Sequence, residues 1–139
     1  AVPGIRLGYG ISSDKALLER METVRQPWSV STPAQAAGLS ALKEDHREEQ
    51  TRQLVKSERE RMEKELENLR IEYIPSEANF LLFNSEINWF EELKKRGILI
   101  RDCANYRGLG NGWYRLAVRM PEENDRLLEC MKQVLNERS

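Results

Sequence analysis

The chain has 139 residues, of which 40% are hydrophobic and 32% charged, and its formal net charge is −1. That size and mix suit a folded domain with a core and exclude a disordered segment. No apolar run approaches the roughly 20 residues of a membrane-spanning helix, so no membrane partner is expected. Mixed charges near neutrality argue against general nucleic-acid binding.

In chain order, the opening Ala-Val-Pro-Gly-Ile-Arg carries neither an initiator Met nor an apolar leader core. It reads as a turn running into a strand over 3–11, and a chain that starts inside a structural unit is expected to be a fragment. Gly4, Gly8 and Gly10 suit close approach of the backbone to a neighbour or a ligand. Ser12 or Ser13 is placed to cap a helix carrying Leu17, Leu18, Met21 and Val24 on one stripe, with Pro27 ending it. Thr32 reads as the N-cap of the next helix, with Pro33 at N1 and Gln35 completing a capping box. Its small residues, Ala34, Ala36, Ala37, Gly38 and Ala41, predict a buried helix.

From 43 to 70 charge dominates, over a sparse apolar stripe of Leu54, Val55, Met62, Leu66 and Leu69. The Asp45-His-Arg-Glu48 run offers a capping box. The pattern predicts a long, exposed helix with one packed face. A partner-binding helix stays open, but the stripe does not sustain three heptads of a coiled coil. Strands are predicted over 71–74 and 79–83. Ser85 is then placed to cap a helix with Ile87, Phe90 and Leu93 inward, stopped by Gly97. Strands over 98–101 and 113–118 follow. The last helix starts with Pro121 at N1 and turns Leu127, Leu128, Met131, Val134 and Leu135 inward. The resulting order β-β-α-β-β-α suits a two-layer α/β sandwich.

The stretch 97–119 holds four arginines, Arg101, Arg107, Arg115 and Arg119, and one acid, Asp102. Strand alternation puts Leu99 and Arg101 on one face and Ile98 and Ile100 on the other. It likewise groups Trp113, Arg115, Ala117 and Arg119 against Tyr114, Leu116 and Val118. An arginine in an apolar strand needs an anionic partner. The stretch has too few acids to supply one, which points to a ligand carboxylate or phosphate. Cys103 and Cys130 lack metal-ligand or CxxC spacing, and the single His46 rules out a His-rich metal site. The cysteines read as reduced thiols of a cytoplasmic protein. No P-loop, GxSxG or HExxH is present.

These motifs resemble a family. Pro3-Gly-Ile-Arg-Leu-Gly-Tyr9 is similar to the segment after the Schiff-base lysine in fold type I pyridoxal-phosphate enzymes. The resemblance implies that Arg6 binds the cofactor phosphate. Trp113-Tyr-Arg-Leu-Ala-Val118 resembles the family's C-terminal strand, which implies that Arg115 grips a substrate α-carboxylate. Gly97-Ile-Leu-Ile-Arg101 resembles the strand in histidinol-phosphate aminotransferases that holds the substrate phosphate, implying that role for Arg101. Asn79 and the run Asn105 to Arg107 are further candidate contacts. Pro27-Trp-Ser-Val30 and the run from Arg101 to Leu109 look most like the threonine-phosphate decarboxylases of cobalamin biosynthesis.

The resemblance implies the C-terminal third of such an enzyme: the end of a large domain (1–42), a connecting helix (43–70) and a small domain (71–139). It implies pyridoxal 5'-phosphate as cofactor, a phosphorylated amino acid as substrate and a homodimer when intact. It also implies that the fragment holds no catalytic residue, because the Schiff-base lysine belongs about eight residues before Arg6. The reading from another class is a free-standing α/β interaction module.

Overall fold

The computed structural model describes residues 3–44 and 46–138. The chain divides into two compact units, Ala1–Glu48 and Glu49–Ser139.

The first unit holds a 3-10 turn at Pro3–Ile5 and two helices, α1 (Lys15–Val24) and α2 (Thr32–Ala41). The strand expected over 3–11 is not formed. No described segment pairs with it, and a lone strand leaves its amides and carbonyls without partners. A Cβ added at Gly4, Gly8 or Gly10 would meet nothing within 4 Å, so the close approach expected there is absent among the described residues. It occurs at Gly38, where the Leu7 side chain fills the place of a Cβ.

Both caps in this unit differ from the sequence expectation. Asp14, not Ser12 or Ser13, caps α1 and accepts from the Leu17 amide at 3.0 Å. A carboxylate is the stronger acceptor at the positive end of a helix. Ser12 supports it by accepting from the Asp14 amide. α1 then stops at Val24, because Arg25 turns extended ahead of Pro27. Ser31, one residue before Thr32, caps α2 through the Ala34 amide. The Gln35 side chain bonds the Val30 carbonyl at 3.3 Å in place of the expected box. Only Ala34 of α2 is buried. Two ten-residue helices enclose too little volume for a core, so the predicted burial of α2 fails and the α1 stripe stays exposed.

The second unit carries all but the first two residues of α3 (Arg47–Asn68), then β1 (Tyr73–Ile74), β2 (Phe80–Asn84), α4 (Trp89–Lys95), β3 (Arg101–Asp102), β4 (Trp113–Ala117) and α5 (Pro121–Asn136). The predicted β-β-α-β-β-α order is present. The sheet is antiparallel in the order β1-β2-β4-β3, with Leu82 opposite Arg115 and Arg101 opposite Arg115 from the other side. Alternation divides the strands. Leu81, Phe83, Tyr114, Leu116 and Val118 turn to one face, where Met62 and Leu66 of α3, Trp89 and Leu93 of α4 and the α5 stripe close the core. Phe80, Leu82, Arg115 and Arg101 fall on the other.

The α3 bounds are narrower than the predicted 43–70, and Asp45 of its expected capping box lies outside the described residues. At its C-terminus, Arg70 takes φ 56 and its amide bonds the Glu67 carbonyl, while the Ile71 amide reaches Leu66. This is a Schellman ending without the glycine that usually signals one. α4 is capped by Asn88, which accepts from the Glu91 amide at 3.2 Å; Ser85 instead accepts from the Ile87 amide in a local turn. Trp89 joins Leu93 in the core, while Ile87 and Phe90 are half-buried. Gly97 does stop α4, at φ 74, with its amide on the Lys94 carbonyl and the Ile98 amide on Leu93. That second bond ties Ile98 to α4, and β3 is confined to Arg101–Asp102, sharing only Arg101 with the predicted 98–101.

Two polar residues are buried among the described ones, Glu58 and Asn124, and they bond each other at 2.7 Å. Asn124 also accepts from the Arg119 amide at 3.0 Å and donates to the Arg119 carbonyl at 2.9 Å. It thus locks the turn from β4 into α5 onto α3. Arg61 binds Glu58 and Asp125, each at 2.7 Å. The Arg61 hydrogen bond, helped by that of Asn124, holds the Glu58 carboxyl below the usual carboxylate range. A depressed pKa means that this contribution to stability is present at neutral pH and is lost as acid protonates Glu58. Asn124→Ala should cost about 1–3 kcal/mol in urea unfolding, because it orphans buried partners. Glu58→Gln should lower stability at pH 7 and flatten the acid limb of the stability profile; an unchanged acid limb would remove Glu58 as its source.

Candidate ligand site

β4 presents Arg115 on the helix-free face because Tyr114 and Leu116 occupy the core face. Arg101 stands directly opposite it on β3. Like charges facing across a ladder repel, and neither arginine has a carboxylate within ion-pair distance among the described residues. Their guanidiniums lean to different supports. The Arg101 Nη2 donates to Asn105 Oδ1 at 3.3 Å, and its Cζ lies 5.4 Å from the centre of the Tyr106 ring. The Arg115 Cζ lies 5.1 Å from the centre of the Phe80 ring. Arg115 is half-buried and Arg101 exposed.

Arg107 is exposed in the connection between β3 and β4. Asn79 is exposed just before β2, and its carbonyl accepts from the Val118 amide at 2.9 Å. Arg119 differs from the other three arginines of the stretch: its Nε pairs with Glu123 at 3.0 Å. Asp102, the one acid of the stretch, accepts from the Ala104 amide. The strand pair thus brings Arg101 and Arg115 together with Asn105 and Tyr106 beside Arg101. Arg6 belongs to the first unit.

The connection itself is held at both ends. Cys103 is buried and its amide bonds the Trp113 carbonyl; burial pushes its thiol up, against the smaller pull of the Arg115 and Arg101 charges. Gly112 takes φ 86, and a Cβ there would lie 2.8 Å from the Ser85 carbonyl oxygen. Both its conformation and its space call for glycine.

Phe80 is the site residue that sequence reading overlooked. A signal was present: the run Phe80-Leu-Leu-Phe83 is apolar on both faces, so a ring stands on the helix-free face as well, where Phe80 is exposed beside Arg115.

Arg6 is exposed, has no ion pair among the described residues and holds φ 59, a conformation that disfavours residues with a side chain and gathers at ligand sites. Its guanidinium fork fits a phosphate. None of the seven lysines is buried: six are exposed, and the half-buried Lys132 pairs with Glu65 at 2.7 Å. The chain's residues therefore fit the phosphate end of a pyridoxal cofactor and not its reactive end. Among the described residues no group of side chains could hold a metal ion, and no helix is long and apolar enough to cross a membrane.

The mixed α/β architecture, with its four-stranded antiparallel sheet, matches part of a fold type I aminotransferase. Residues 1–130 match the family described as aminotransferase class I and II, and the chain belongs to that family of pyridoxal-phosphate-dependent enzymes. A threonine-phosphate decarboxylase of Salmonella typhimurium is 39% identical over 97% of this chain and 38% of its own length. Histidinol-phosphate aminotransferase 1 of Archaeoglobus fulgidus is 41% identical over 94% of this chain and 40% of its own. The crystal structure of histidinol-phosphate aminotransferase from Clostridium acetobutylicum matches 99% of this chain and 43% of that chain, with TM-score 0.90 and 31% identity. The chain thus spans about two fifths of the relatives it matches. These matches lend no support to a free-standing interaction module.

Two facing arginines without acids should be relieved by a dianion. Sulfate at ten times its Kd should stabilise the chain by about 1.4 kcal/mol beyond a chloride control of equal ionic strength. Arg115→Gln and Arg101→Gln should each abolish most of that gain in thermal unfolding. An equal gain in the double variant would place the anion elsewhere.

Proposed function

We propose that this chain is the C-terminal part of a pyridoxal-phosphate enzyme that acts on a phosphorylated amino acid, and that the intact enzyme is an L-threonine O-3-phosphate decarboxylase serving cobalamin biosynthesis. The observation that carries this reading is the Arg101–Arg115 pair, two cations on one sheet face with no carboxylate in ion-pair distance among the described residues. Such a pair suits a substrate with two anionic groups. Arg115, half-buried and backed by Phe80, takes the α-carboxylate. Arg101, exposed beside the connection, takes the side-chain phosphate, with Arg107 and Asn79 as further contacts. Arg6 holds the cofactor phosphate.

Pyridoxal 5'-phosphate, when bound, supplies an electron sink for the bond broken at the substrate α-carbon. The arginines decide which bond that is, because the bond to be broken must stand perpendicular to the cofactor plane. Gripping carboxylate and phosphate together fixes the rotation about the α-carbon, and orientation of this kind is worth large rate factors. The domain reading follows the same proposal: 1–42 closes a large domain, 43–70 connects and 71–139 is the small domain. The intact protein is proposed as a cytoplasmic homodimer. The chain alone is proposed to be inactive, since it offers no lysine suited to the cofactor.

The second reading is histidinol-phosphate aminotransferase, favoured by the 41% identity to the Archaeoglobus enzyme. The same two arginines then serve the phosphate of histidinol phosphate and the carboxylate of the acceptor acid. A polypeptide of the relatives' length carrying this chain separates the two. Incubated with L-threonine phosphate it should release carbon dioxide, and with histidinol phosphate plus 2-oxoglutarate it should form no glutamate. Transamination without carbon dioxide would overturn the decarboxylase assignment. Arg115→Ala in that protein should abolish turnover of carboxylate-bearing substrates and keep the cofactor absorbance; undiminished turnover would remove Arg115 from the site.

A further inference from the structure

The two arginines rest on rings of different origin. Phe80 opens β2, and its strand partner Ala117 lies two residues beyond Arg115, so the ring sits diagonally across the ladder from the guanidinium it supports. The sheet itself fixes that ring. Tyr106 and Asn105 lie in the connection 103–112, outside any strand. Successive turns place them: the Tyr106 amide bonds the Cys103 carbonyl at 2.9 Å, and the Leu109 amide bonds the Tyr106 carbonyl at 3.1 Å. A cation over a ring face is held by the ring quadrupole, and the flat guanidinium is the cation best suited to it.

We infer that Phe80 is the positioning residue of Arg115 and that Tyr106, with Asn105, is the positioning residue of Arg101, so that two anionic groups are gripped by separately adjustable arms. The identity of those anions rests on the function proposed above; the independence of the arms does not. One arm is set by the sheet and the other by a connection. Residues 104–108 then determine which second anionic group is accepted and at what distance from the first. The carboxylate grip is unaffected by changes there.

The side-chain Nε–Hε signals of Arg101 and Arg115, followed by 15N relaxation in this 139-residue chain, test the inference. Tyr106→Leu should lower the order parameter of Arg101 and leave Arg115 as it was. Phe80→Leu should do the reverse. Tyr106→Phe and Phe80→Tyr, which keep a ring, should restore the original values. If either variant loosens both arginines together, or if neither loosens any, the inference is overturned. In the intact protein, Tyr106→Leu should raise KM for the phosphorylated substrate about two- to fivefold, and raise it less for the dephosphorylated analogue. If the arms respond separately by relaxation while the two KM values shift alike, the positioning roles stand and the assignment of Arg101 to a phosphate falls.

Discussion

Everything in the second unit depends on the strict alternation of β4. Five residues, Trp113 to Ala117, lie between β2 and β3, and every second side chain must face the helices. Tyr114 and Leu116 are nearly inaccessible because α3, α4 and α5 cover them. That burial forces Arg115 to the opposite face. A slip of one residue would put the guanidinium in the core and the tyrosine outside, at the cost of an unpaired buried charge. The hydrophobic side of the sheet therefore aims the arginine, without any contact to it.

The register is pinned from the far end of the strand as well. Asn124 uses both ends of its amide on the backbone of Arg119 and keeps one donor for Glu58. β4 cannot shift without breaking this cluster, and α5 cannot rotate without taking the Asn124 amide from Glu58 and the Asp125 carboxylate from Arg61. A small polar knot and an apolar alternation thus act on the same strand, one setting its position along the axis and the other its rotation.

Much of this was legible in the sequence. The faces of the strands around Arg101 and Arg115, the inward stripe of α5, Pro121 at its start and the Gly97 stop all follow from periodicity and backbone chemistry. The caps were less legible, since Ser12, Asp14, Ser31, Thr32, Ser85 and Asn88 offer competing acceptors within a few residues of each helix start, and geometry decides among them. The end of α3 was hidden because Arg70 takes a role usually given to glycine. The Asn124–Glu58 pair was hidden for a different reason: it joins positions far apart in the chain, and neither residue belongs to an apolar pattern. The opening strand was misread because local sequence shows a willingness to extend and says nothing about a partner. The family itself was legible from three short motifs in the right order, and the match over residues 1–130 agrees with them.

β3 is an edge strand of two residues, tied to the sheet on one side only. Edges of this kind open locally at a small fraction of the free energy needed to unfold the core. Arg101 therefore sits on the part of the sheet that frays first, while Arg115 sits on a strand bonded on both sides. On the proposed function, a doubly anionic ligand bridging them would leave in order: the outer anchor would let go through brief unzipping of the edge, and the inner anchor would hold until then. Residence time at such a site would then depend on the fraying of two residues as well as on the strength of either arginine.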